Sequence, residues 1–229
     1  TVDKVFHVLL GEPNTGKSTV TGLLCKTFGG YVKTWTLDNL KYKAGSTTDE
    51  AKQLSWIAPL LGARIALSNE ARMDGIKLDG NLAKRLSGGD AITLRQNFKD
   101  EVTTEIMTTF FAMANDMPSF SPQDAALRVR MNYATFNYSF VPKPEEECGE
   151  WEKPADPLLK TKIESDEWKD AFTHIILDAY AAGVRLPAPD SVKAATDEAL
   201  PVETDSIKDL LMGEYELTGN MDDYIPSRL

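Results

Sequence analysis

Cysteine and histidine are almost missing from this chain: two of each stand among 229 residues. Cys25 and Cys148 lie far apart, and neither has a neighbour at a metal-binding spacing. A disulfide-stapled scaffold and a Cys/His zinc site are therefore set aside, and free thiols in a reducing, cytoplasmic setting are expected. No run of about 18 apolar residues occurs, so no membrane-spanning helix is expected. The N-terminus lacks the basic, apolar, small-residue order of a secretory signal, and Thr1 in place of Met suggests a piece of a longer chain. No internal repeat is present. What remains is a globular composition, 42% hydrophobic, with length for one large or two small domains.

Net charge is −10, which alone speaks against a nucleic-acid protein. The distribution differs: residues 1–99 hold 14 Lys/Arg against 9 Asp/Glu, and residues 100–229 hold 11 against 26. A basic working surface on an acidic particle is compatible with that split.

One stretch carries most of the chemistry: Gly11-Glu12-Pro13-Asn14-Thr15-Gly16-Lys17-Ser18, with Thr19 following. It comes after the apolar run Val5-Phe6-His7-Val8-Leu9-Leu10 and opens a helical pattern through Val20, Leu23, Leu24 and Phe28. A glycine-rich loop between a strand and a helix is a phosphate cradle. Glycines let backbone N–H groups curl around an anion, and the helix turns its partial positive end toward it. Lys17 can then reach terminal phosphates, and Ser18 is placed to ligate Mg²⁺.

Further along, Gly29-Gly30 ends the helix and residues 31–35 form a short strand. Residues 47–61 read as a helix capped by Thr48, with Leu54, Ile57, Leu60 and Leu61 on its apolar face. Residues 63–70 read as a buried strand ending in Asn69 and Glu70. A second strand of a P-loop nucleotidase must deliver a carboxylate to Mg²⁺ or to the attacking water, and Glu70 is the first available. Residues 78–86 form a short helix bearing Lys84 and Arg85, and strands 92–98 and 102–107 form a hairpin. Strand 108–114 ends in Asn115, where a polar group can position water or sense a γ-phosphate, although a turn-forming Asn is the default explanation. A helical turn over 124–130 carries Arg128 and Arg130, and residues 133–141 alternate as a strand. Residues 142–157 are acidic and proline-rich, an exposed connection. Helices follow at 156–163, 166–182, 191–200 and 205–216. In the second of these, Phe172, Ile175, Ile176, Ala179 and Tyr180 form a core stripe. The expected architecture is α/β with a mostly parallel sheet over 1–141, a connection at 142–157 and a helical part over 158–229.

With these blocks in place, the chain resembles superfamily 3 helicases, the AAA+ type of viruses and phages, and most closely the poxvirus-type primase-helicase branch. The likeness covers about residues 5–183. Its blocks are residues 11–19, 62–70 (Gly-Ala-Arg-Ile-Ala-Leu-Ser-Asn-Glu), 84–90 (Lys-Arg-Leu-Ser-Gly-Gly-Asp), 112–115 (Ala-Met-Ala-Asn) and 124–130 (Asp-Ala-Ala-Leu-Arg-Val-Arg). The resemblance implies ATP and Mg²⁺ as ligands, with Gly11, Asn14, Thr15, Gly16, Lys17, Ser18 and Thr19 forming Walker A. It implies Ser18 and Glu70 at the metal, Glu70 as Walker B glutamate and Asn115 as sensor 1. Arg130, with Arg128 as runner-up, is implied as the arginine supplied to a neighbouring subunit's site. Lys84, Arg85, Arg95 and Lys99 look like the cations of the DNA-contacting segment, suited to a phosphate backbone. Single-stranded DNA, a homo-oligomeric, hexameric ring and a primase domain elsewhere in the full chain are the implied partners. Asn69 departs from the usual Walker B Asp. The rival readings are a P-loop small-molecule kinase, a non-catalytic nucleotide-dependent assembly module and a packaging or initiator ATPase.

Overall fold

The apolar runs form short strands whose two faces are covered from opposite sides, as a parallel sheet requires. The computed structural model describes residues 4–42, 49–69, 77–95, 100–181 and 187–201. In chain order, β1 (Phe6–Leu10), α1 (Lys17–Phe28) and β2 (Val32–Trp35) lead to α2 (Glu50–Gln53) and β3 (Ile65–Ser68). Next come β4 (Lys77–Asp79), α3 (Gly80–Gly88), β5 (Ala91–Arg95) and β6 (Glu101–Glu105). These are followed by β7 (Thr109–Ala114), β8 (Ser119–Ser121), α4 (Ala125–Arg128) and β9 (Met131–Thr135). The rest is β10 (Ser139–Val141), β11 (Glu152–Pro154), α5 (Leu159–Lys162), α6 (Asp166–Ala181) and α7 (Asp190–Ala199).

The central sheet has five parallel strands in the order β2-β3-β7-β1-β9. Leu10 pairs with Ala114 on one side and Thr135 on the other, so β1, β7 and β9 finish level. The loops leaving those three ends therefore converge, which is where ligands sit on open α/β sheets.

Alternation along the strands separates two faces. Phe6, Val8, Phe110, Ala112, Met131 and Tyr133 are buried in one core with Leu37, Leu40, Leu54, Ile57, Leu86 and Ile92. Phe6 stacks on Phe110 at 6.0 Å and meets the Trp35 ring edge-on at 6.1 Å. The opposite face is more thinly covered: His7 stacks on Phe111 at 4.6 Å, and Thr21 of α1 lies 3.5 Å from the Met113 sulfur.

Several expectations need correction. The helix over 47–61 is four residues of α2, capped by the Asp49 carboxylate, followed by 3-10 geometry over Leu54–Leu60. Pro59 lies inside that stretch and has no N–H for an α-helical bond. Thr48, the expected cap, lies outside the described residues, as does the expected helix at 205–216. The strand over 133–141 divides: β9 stays in the main sheet, while β10 leaves it to pair with β11. The connection at 142–157 is largely exposed, yet it contains β11. The helix over 156–163 is the single turn α5.

The core stripe expected on α6 is not buried. Phe172 meets Phe28 at 6.3 Å, but Ile175 is 65% and Tyr180 84% exposed. A groove of about 890 Å³, lined in part by Val32, Ile65, Ile176, Leu177 and Tyr180, separates the C-terminal half of α6 from the sheet.

Candidate phosphate site and flanking surfaces

The loop from Gly11 to Gly16 turns directly off the end of β1. Gly11 N donates to Ala114 O at 3.2 Å, and a Cβ at Gly11 would stand 2.7 Å from Phe136 O, so only glycine fits. Gly16 has φ +92° and Asn14 φ +64°, the left-handed turns that point successive amides into one concavity. Thr15 braces the loop by donating to Glu12 O at 2.8 Å, and Thr19 N and Val20 N start α1 on Gly16 O.

Lys17 is buried. Its ammonium donates to Gly11 O, to Glu12 O at 3.0 Å and to Asn115 Oδ1 at 3.0 Å. The expected loop lysine and the expected sensor asparagine, distant in sequence, thus meet through one hydrogen bond. Ser18 is exposed in the first turn of α1, and Asn69 is exposed just beyond β3. Glu70 lies outside the described residues. Glycines that a Cβ would disturb and a lysine converging on the same loop fit a polyphosphate, and the exposed Ser18 hydroxyl fits a divalent ion beside it.

Arg130 is held away from this loop. Its carbonyl accepts from Phe6 N at 2.7 Å, at the amino end of β1, and its guanidinium donates to Ala126 O at 3.1 Å. The five residues of β1, at about 3.3 Å each, separate it from the cradle of its own chain. Arg128 is ion-paired to Asp197 at 2.5 Å.

The expected DNA-contacting cations lie on α3 and the antiparallel β5–β6 pair, where the Thr93 and Thr103 hydroxyls meet at 2.8 Å. Each described member is paired to a carboxylate: Lys84 to Asp124 at 2.5 Å, Arg85 to Glu50, and Arg95 to Asp49 with Glu101 at 3.7 Å. Lys99 lies outside the described residues.

Sequence reasoning missed three contributors. Ser68, buried at the end of β3, accepts from Met113 N at 2.8 Å and locks β3 to β7. Asp124 caps α4 by accepting from Leu127 N at 2.7 Å, a signal legible in its place before Ala-Ala-Leu-Arg. The Lys84 contact first, and the Leu127 amide second, hold the Asp124 carboxyl below its usual range. The third is the β10–β11 ribbon, whose Phe140 N donates to Asn14 O of the loop at 2.9 Å. No local signal announced it, because its strands are separated by the acidic stretch.

The strand order, the loop between β1 and α1, and the seating of Lys17 define a P-loop α/β fold. No family model matches the chain. It is 32% identical over 226 residues to a Sputnik virophage protein named "Putative helicase V13", covering 97% of this chain and 29% of that one. It is 25% identical over 183 residues to an Acanthamoeba polyphaga mimivirus protein named "Putative helicase L207/L206", covering 76% of this chain and 18% of that one. The chain thus spans under a third of the length of these curated relatives. The apo C-terminal region of NrS-1 shares the fold, with TM-score 0.55 and 18% identity over 92% of this chain and 45% of that structure.

Proposed function

We propose that this chain is the ATPase motor of a viral replicative helicase of the superfamily 3 type. The observation that carries the reading is the Lys17 ammonium shared between the loop carbonyls and Asn115 Oδ1, which joins a phosphate cradle to a polar sensor. ATP would supply the reactive phosphoanhydride, held by residues 11–19, with Mg²⁺ at Ser18 and Glu70. Glu70 accepts a proton from the attacking water, and Asn115 orients that water. Lys17 exchanges its carbonyl partners for phosphate oxygens and offsets their charge. Arg130 acts on a neighbouring subunit, a role favoured by its place at the far end of β1. A closed ring, six-membered in this reading, makes every such interface equivalent. A primase domain belongs elsewhere in the longer protein.

Single-stranded DNA would lie along Lys84, Arg85, Arg95 and Lys99. Exposed ion pairs are worth about 0–1 kcal/mol, so phosphates compete readily with Asp49, Glu50 and Asp124. The double substitution Arg95→Ala and Lys99→Ala is expected to weaken single-strand binding. It should also reduce the slope of log affinity against log salt by about 1.4, the value for two lost phosphate contacts. Unchanged affinity and slope would remove DNA from this surface. Lys17→Ala is expected to abolish ATP hydrolysis, and a turnover that survives it would refute the motor reading.

A further inference from the structure

We propose that the β10–β11 ribbon is the platform for the nucleobase of the nucleotide whose phosphates occupy the adjacent loop; this rests on the nucleotide reading above. A nucleotide held by its phosphates must place its base one ribose away, on a surface fixed relative to the cradle. The ribbon is such a surface. Phe140 N is bonded to Asn14 O, and the Phe140 ring lies 3.5 Å from the place a Gly16 Cβ would take. Ser139 N donates to Trp151 O at 2.9 Å, which ties Trp151 to the same unit. Tyr138 and Trp151 lie 5.7 Å apart, with Lys153 Nζ 5.2 Å from the Tyr138 ring centre.

Trp151, Tyr138 and Phe140 are 55%, 44% and 42% exposed. Three large aromatics left open beside one loop mark a binding surface rather than a core. Trp151 also lines a cavity of about 540 Å³ with Gly11, Glu12, Asn115, Phe136 and Asn137, so its ring and the phosphate loop open into one space. Charge selects the occupant. Glu145, Glu146, Glu147 and Glu150 lie in the segment that joins the two strands, Glu152 of β11 is ion-paired to Lys143 at 3.0 Å, and Lys153 adds one further cation. The ribbon's segment is thus net acidic and disfavours a polyanionic strand more than a single neutral base. Stacking on an aromatic face is the matching interaction.

The test compares ATP with inorganic tripolyphosphate by titration calorimetry on the full chain with Mg²⁺ present. Wild type is expected to bind both, and ATP more tightly. Trp151→Ala should weaken ATP by roughly 5- to 150-fold, the range for one lost stacking contact, and leave tripolyphosphate unchanged. Unchanged tripolyphosphate binding also reports an intact loop, and Trp151→Phe should restore most of the ATP affinity. If tripolyphosphate binds while Trp151→Ala and Tyr138→Ala both leave ATP affinity intact, the platform is refuted and the loop reading stands. If the substitutions weaken single-stranded DNA but not ATP, the ribbon serves a strand and the proposal is overturned. If wild type binds neither ATP nor tripolyphosphate, the nucleotide reading itself fails.

Discussion

Replacing Asp124 by Ala removes two contacts at once: the cap on Leu127 N at 2.7 Å and the ion pair with Lys84 at 2.5 Å. A lost carboxylate cap costs about 0.5–2 kcal/mol, and an ion pair this exposed adds at most about 1 kcal/mol. For a domain of this size each kcal/mol moves the melting temperature by about 2–4 °C, so the combined loss of about 0.5–3 kcal/mol is expected to lower it by about 1–12 °C at pH 7. Lys84→Met removes the ion pair alone and should cost under about 4 °C. The pH dependence has a definite sign. The folded Asp124 carboxyl is held below its usual range, so its stabilisation is present above the unfolded value of about 3.9. It is lost as pH falls through the folded value, and the gap between wild type and Asp124→Ala should therefore narrow on acidification below about pH 4. Thermal melts followed by circular dichroism at several pH values decide the matter. Equal melting temperatures at pH 7, or a gap that widens in acid, would refute the reasoning.

Three further outcomes follow from buried or strained groups. Tyr133 is fully buried, burial pushes its phenol pKa upward, and its hydroxyl has no partner among the described residues. Tyr133→Phe should stabilise by about 1 kcal/mol in urea denaturation, and a loss of stability would show that the hydroxyl is satisfied. Gly16→Ala places a side chain at φ +92°, so about 1–2 kcal/mol of stability should disappear together with tripolyphosphate affinity; unchanged affinity would mean that the loop is not the cradle. Ser68→Ala leaves Met113 N without its acceptor and should cost about 1–3 kcal/mol, whereas a neutral result would deny Ser68 its role in joining β3 to β7.

The parts legible in the sequence were those encoded locally. The loop at 11–18, the strand before it and the helix after it are contiguous, and periodicity and glycine placement reveal them directly. The meeting of Lys17 with Asn115 followed from family resemblance, because no local pattern says that β7 lies beside β1. Range and composition misled elsewhere. The well-patterned stretch over 54–60 took 3-10 geometry, with Pro59 lacking the N–H for an α-helical bond, and an apolar stripe on α6 proved exposed because helical period reports amphipathicity and not what lies opposite. The carboxylate partners of Lys84, Arg85 and Arg95 come from other elements, so a basic segment in the sequence became a surface of paired charges. The β10–β11 ribbon was hidden because an acidic stretch reads as a connection even when the strands it separates pair with each other.

The proposed division of the nucleotide site between two subunits is tested most directly by subunit mixing in the full-length protein. Lys17→Ala and Arg130→Ala proteins should each be inactive in ATP hydrolysis when assembled alone. In an equal mixture, a site regains both groups wherever an Arg130→Ala subunit supplies the loop and a Lys17→Ala neighbour supplies the arginine, so about a quarter of wild-type activity should return. No recovery in mixed assemblies, or full activity of Arg130→Ala alone, would contradict a shared site.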